Sequence, residues 1–249
     1  MHGDRQTFQA EGTICPGILR KTGNLDRIST YKNFSLIKRL QKDGPARLIS
    51  DLINPLFLPP VVIGLTAWLL GLMDSTIGWI MGISLFFYTI TPFTATFYLL
   101  RKKYISSLDL PERTSRNRLF IISIGCAFIV FLCFSLTLAS TSRVLAAISF
   151  VFLINPLIGF IINFIWKMSI HTAALSSAGA IFLYLCRMNI IPAANFTYIL
   201  SLSILLLILP LMIWARYRLN IHTLAELFGG ALAGFLLTIL ELSMLTNLW

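Results

Sequence analysis

The chain has 249 residues, 57% of them hydrophobic and only 12% charged, with a formal net charge of +10. Soluble domains carry roughly 25% charged residues, so this composition excludes an ordinary soluble domain. The surplus of cations would suggest a nucleic-acid partner in a soluble protein. Here no nucleic acid is expected, and the cations must be read by where along the chain they fall.

Residues 1–47 form a basic extension without an apolar run, so no signal peptide is expected there and the first span must direct insertion. Residues 1–30 mix Gly, Thr, Asp and Arg without a period and read as flexible. Residues 31–47, "YKNFSLIKRLQKDGPAR", set Phe34, Leu36, Ile37 and Leu40 among Lys32, Lys38, Arg39 and Lys42. That pattern suits an amphipathic helix on an anionic leaflet, or a plain solvated basic tail.

Residues 48–249 read as one transmembrane domain in contact with membrane lipids. Apolar stretches recur at 52–73, 76–100, 119–139, 144–166, 170–187, 196–215 and 223–246, and a bilayer core is about 30 Å thick. The expected fold is all-α: a polytopic transmembrane helical bundle of six or seven spans with a basic N-terminal extension. The first stretch opens "INPLFLPP", whose prolines break or kink its start. In the last, Gly230 and Gly234 form a GxxxG pair beside Gly229. That spacing lets two backbones approach closely, either inside the bundle or across a homodimer. Of the 20 Lys and Arg, only Arg143 and Arg187 fall on the side opposite the N-terminus. The positive-inside bias therefore expects the N-terminus in the cytoplasm of a cell inner membrane or its equivalent. The four cysteines, Cys15, Cys126, Cys133 and Cys186, show no CxxC or CxxCH spacing and read as small buried hydrophobes.

Ionisable residues near membrane depth are costly, so they are candidate functional groups. Three clusters stand out: "RKKYISSLDLPERTSRNR" (101–118), "KMSIHTA" (167–173) and "RYRLNIHTLAEL" (216–227). Two expected helices separate each cluster from the next, so all three can meet at one membrane face. His171 and His222 each fall where a helix begins, and a helix start offers free N–H groups and a positive dipole end to an anion such as phosphate. Glu226 follows His222 by four residues, on the same helical face. It can hold one imidazole N–H and leave the other nitrogen free as nucleophile. Arg216 precedes His222 by six residues, and its planar fork suits phosphate oxygens. There is no Cys/His or paired-carboxylate metal spacing, no DDxxD-like pair, no Gly-rich nucleotide loop and no GxSxG.

The spacing R-x5-H-x3-E of Arg216, His222 and Glu226 resembles the third signature, SR-x5-H-x3-D, of the type 2 phosphatidic acid phosphatase / vanadium haloperoxidase superfamily. "KMSIHTA" is similar to a variant of its second signature, PSGH, with His171 at the histidine. "LDLPERTSRNR" stands where the first signature, K-x6-RP, belongs. The resemblance covers about residues 50–246. It implies that His222 attacks phosphorus and forms a phosphohistidine, that Glu226 orients it, and that His171 protonates the leaving oxygen. It also implies that Arg216 clamps the phosphoryl oxygens, with neither a metal nor another cofactor required. This chain departs from the signatures at Ala215, at Glu226 and at Ile170, where the family has Ser, Asp and Gly. Lys167 and Ser169 are candidates to compensate at the second motif, and Arg113 and Arg116 to supply the cations of the first. The expected activity is metal-independent hydrolysis of a lipid or isoprenoid phosphate or diphosphate at the cytoplasmic face. The alternatives are a phosphotransferase with a lipid acceptor, and a non-catalytic lipid-binding or assembly subunit on the same fold.

Overall fold

The computed structural model describes residues 43–104, 113–137 and 143–246, and among them every regular element is helical. The described helices are α1 (residues 43–52), α2 (Leu58–Leu69), α3 (Asp74–Arg101), α4 (Arg113–Thr137), α5 (Arg143–Ile165), α6 (Ile170–Arg187), α7 (Ala194–Arg218) and α8 (Leu224–Thr246). The amphipathic helix or tail expected over 31–47 lies, up to residue 42, outside the described residues, as does Cys15. Cys126 is buried, Cys133 and Cys186 are half-buried, and all three are free thiols.

Five helices are long and apolar enough to cross a membrane: α3, α4 from Asn117 onward, α5, α7 and α8. They mark a membrane protein. The expected stretch 52–73 is not one helix. Pro55 cannot continue α1, and the Asn54 side chain closes a turn by accepting from Leu56 N–H at 3.0 Å. Pro59 and Pro60 then occupy the first turn of α2, where a missing N–H costs nothing. That leaves α2 with 12 residues. The stretch 170–187 does form a helix, α6, but it is not one of the five. Its apolar residues are interrupted by His171, Thr172, Ser176 and Ser177, and it is enclosed by its neighbours, with an unbroken buried run from Leu175 to Phe182.

Proline also explains two widenings of the long helices. α3 carries a π-helical segment at Leu85–Ile90 and α7 one at Ile204–Ile208. Pro92 and Pro210 follow directly, each lacking an N–H and crowding the carbonyl four residues back. The wider turn relieves that clash.

Lipid tails are as apolar as leucine, so close packing and buried hydrogen bonds hold such a bundle together. α6 and α8 show this best. A Cβ on Gly230 would lie 2.5 Å from the Ser169 carbonyl oxygen, and one on Gly234 would collide with the Ala173 carbonyl. The Thr172 hydroxyl donates to the Leu227 carbonyl at 2.9 Å. On the other side of α6, Ser201 of α7 donates to the Gly179 carbonyl at 2.9 Å. Gly230 and Gly234 therefore serve packing within the chain, and α6 occupies the face on which a homodimer through these glycines would form. Gly234→Val is expected to force α8 off α6 and cost about 3 kcal/mol or more. A melting temperature in detergent equal to wild type would show that the two helices separate freely.

Candidate functional site

The segment between α7 and α8 is shaped by two local motifs. α7 ends at Arg218, and Asn220 adopts a positive φ of 55°, a conformation that asparagine tolerates. Ile221 N–H reaches back to the Arg216 carbonyl at 3.3 Å and Asn220 N–H to that of Tyr217 at 3.0 Å. This is a Schellman ending, which satisfies the last carbonyls of α7. Three residues later Thr223 caps α8. Glu226 N–H donates to the Thr223 hydroxyl at 3.3 Å, and Thr223 N–H donates to Glu226 Oε2 at 3.2 Å. That reciprocal pair is a capping box. The turn is so short that Arg216, His222 and Glu226 are forced into one neighbourhood.

Glu226 Oε2 has a second task. It lies 2.9 Å from His222 Nδ1. A carboxylate only accepts, so Nδ1 carries the hydrogen and Nε2 keeps its lone pair. The His222 side chain is 6% exposed, low enough for desolvation to govern its charge. Burial, first of all, pushes its pKa down to about 4, and the nearby Arg216 and Lys167 add to that; the bond to Glu226 and its charge oppose it. The ring is neutral at neutral pH. Because the folded value lies below the ordinary 6.5, this group's contribution to stability is complete above about pH 6.5 and is lost as pH falls through about 4.

The second cluster joins the third. Lys167 Nζ donates to the Ile221 carbonyl at 2.9 Å, tying the loop before α6 to the residue before His222. Ser169 N–H donates to the Glu226 carbonyl at 3.2 Å. Ser169 is fully buried at the start of α6, and its hydroxyl has no partner among the described residues. His171 follows in the first turn of α6, close enough for Arg216 and His222 to act on it electrostatically. Arg216 is buried at 4% exposure, and its Nη1 donates to the Ser50 hydroxyl of α1 at 3.0 Å. Two imidazoles, a carboxylate, an arginine and a lysine thus converge. Among the described residues no group of three or more His, Cys, Asp or Glu is placed to hold a metal ion.

The first cluster is only partly described. Arg113 and Arg116 lie on the first turn of α4, and their side chains fall outside the described residues. Arg118, two positions beyond Arg116, donates to the Tyr104 carbonyl at 3.3 Å, with its guanidinium 5.3 Å from that ring's centre. Asn163 near the end of α5 donates to Asn117 at 2.7 Å and ties α4 to α5. Sequence reasoning missed Thr223, although T-x-x-E before an apolar run is the signature of a capping box. It also missed Ser50, for which no local signal exists, since 166 residues separate it from Arg216.

Comparisons of the chain with protein-family models, with curated proteins and with solved structures found no match.

Proposed function

We propose that this chain is an integral membrane phosphatase that releases phosphate from a lipid or isoprenoid phosphate or diphosphate. It would be a divergent member of the type 2 phosphatidic acid phosphatase / vanadium haloperoxidase superfamily. The observation that carries this reading is the neutral, carboxylate-oriented His222, with the buried Arg216 near enough to depress its pKa.

His222 Nε2 attacks phosphorus as the bond to the leaving oxygen breaks, and His171, taking up a proton as the phosphate's negative charge enters the site, passes it to that oxygen. Glu226 holds the Nδ1 hydrogen and stabilises the charge left on the ring. Arg216 and Lys167 balance the phosphoryl charge in transfer. Lys167 gives one hydrogen to Ile221 and has two left for phosphate. Ser169 Oγ and the N–H groups opening α6 provide further donors. Water then attacks the phosphohistidine, the P–N bond breaks, and free His222 returns. Apart from the nucleophile His222, every group proposed to meet the phosphate is a donor or a cation, which suits metal-independent transfer.

An apolar tail follows from where the site sits, between the ends of apolar helices. We read α6 as a further span whose polar residues are hidden inside the bundle. With the short α2 carrying the chain from the side of Ser50 to the start of α3, that gives seven crossings, with the N-terminus and the site on the cytoplasmic face of a cell inner membrane or its equivalent. Cysteines placed at exposed positions 220 and 104 should react with an impermeant reagent only from the cytoplasmic side; labelling from outside alone would reverse the orientation.

Phosphate release from a panel of lipid and isoprenoid phosphates, with EDTA present, tests the activity. Release that survives EDTA supports the reading. No release from well-folded protein, with or without an acceptor alcohol, would favour a structural role, since Glu226 and Lys167 also serve as a helix cap and a loop tie. Transfer to the acceptor without phosphate release would indicate a phosphotransferase.

The pH profile is a separate prediction. The acidic limb of kcat/KM should lie near pH 4, where His222 takes up its proton. Lys167→Met removes a cation that disfavours that proton, so the limb should move upward. A wild-type limb near the ordinary histidine value would mean that His222 is not desolvated in the working protein.

A further inference from the structure

A second polar cluster lies deeper in the bundle. Asn155 is near the middle of α5, Ser177 is on α6 and Thr238 is on α8. Asn155 Nδ2 donates to Ser177 Oγ at 3.0 Å and to Thr238 Oγ1 at 2.9 Å, and the two hydroxyls are 2.6 Å apart. Glu241 follows Thr238 by about one turn of α8 and is buried. Side chains on a helix lean toward its N-terminus, and residues three apart share a face, which directs Glu241 toward the turn that carries Thr238. Thr238 is twelve residues beyond Glu226, or about 18 Å along the helix, so this cluster is distinct from the phosphate site.

Hydrogens are short in this cluster. Asn155 uses both amide hydrogens on the hydroxyls. One hydroxyl hydrogen lies between Ser177 and Thr238, and one is left over. Against it stand Asn155 Oδ1, Glu241 Oε1 and Glu241 Oε2, all buried and without a partner among the described residues. Pro156, inside α5, adds to the excess, because it offers no N–H to the Phe152 carbonyl.

A proton on Glu241 would answer one oxygen and leave the others. A water would bring hydrogens but leave a carboxylate charge in a low-dielectric interior, where it is very costly. A small hard cation takes several oxygens at once and cancels the charge. With one carboxylate in the cluster, the cation that leaves no net charge is monovalent. We infer that Asn155, Ser177, Thr238 and Glu241 form a binding site for a monovalent cation of the sodium class in the middle of the bundle. Interrupted helices and midplane oxygens are the usual setting for such ions in membranes. The site does not depend on the phosphatase reading.

The full chain in detergent micelles tests it by two readouts. One is the melting temperature in sodium chloride against choline chloride at equal ionic strength. Wild type should melt about 5 °C higher in saturating sodium; the gain should vanish in Glu241→Gln and shrink in Thr238→Val. The other is labelling of Glu241 by a hydrophobic carbodiimide, read by mass spectrometry on wild type alone. Sodium should suppress the label about fivefold or more, in proportion to occupancy. Equal melting in the two salts, a sodium gain that survives in Glu241→Gln, or labelling indifferent to sodium would each overturn the site. If Glu241→Gln fails to fold, sodium protection of the wild-type carboxyl decides.

Discussion

His222→Ala is expected to lower phosphate release by about 10⁴-fold or more while the protein keeps its fold. Removing a nucleophile removes the covalent route, and what remains is the rate that binding and charge stabilisation can support. The side chain lies in the turn just before α8, which begins at Leu224. Its loss leaves the capping box of Thr223 and Glu226 in place. Melting temperature should therefore change little while activity collapses. A variant that retains a tenth of wild-type release would mean that another residue attacks phosphorus. Glu226→Gln separates the carboxylate's tasks. An amide still accepts from His222 and from Thr223 N–H but no longer stabilises the charged ring, so a large activity loss with a small stability loss is expected.

Arg216→Ala should cost about 10²–10³-fold in kcat, the range seen when a donor to developing charge is removed. Arg216→Lys should rescue little of it. The planar guanidinium is held by the Ser50 hydroxyl through Nη1; an ammonium on a flexible stem cannot reproduce that fixed, multi-donor geometry. Ser50→Ala removes only the anchor. It should give a milder loss, about tenfold, through looser placement of the arginine. Equal rates for Arg216→Lys and wild type would show that only a point charge is needed there.

The parts of the site that were legible in the sequence are those written within a few residues of one another. Arg216, His222 and Glu226 fall within one turn and the helix start after it, so their spacing alone predicts a shared face. The 2.9 Å contact of His222 with Glu226 is that spacing realised. The meeting of "KMSIHTA" with the third cluster was legible from the alternation of helices and loops, which returns the chain to the same face. Its contacts were not. Lys167 donates to a backbone carbonyl 54 residues away, and a carbonyl leaves no mark in the sequence. Ser50 reaches Arg216 from α1, and the contact depends on how the proline-broken start of the bundle folds back. The break itself was legible, because Pro55, Pro59 and Pro60 cannot sit in one continuous helix.

The membrane character was legible in composition, but the role of α6 was not. Its serines and threonines look unfavourable for a span when the helix is taken alone. In the bundle they bond carbonyls and side chains of α5 and α8, which is how polar groups are tolerated at such depth. The GxxxG pair left the choice between a neighbour in the chain and a second copy, and α6 fills that face. Asn155, Ser177 and Thr238 escaped notice for the same reason, since the bonds that unite them cross 22, 61 and 83 residues.

The measurement that bears most directly on the proposed mechanism is capture of the covalent intermediate. Wild-type protein is mixed with a substrate carrying radiolabelled phosphate, quenched in base within milliseconds, digested and mapped by mass spectrometry. The expected result is an acid-labile, base-stable phosphoryl group on His222 that appears before free phosphate and is absent in His222→Ala. Phosphate released with no labelled protein at any time, or label on a residue other than His222, would contradict the mechanism.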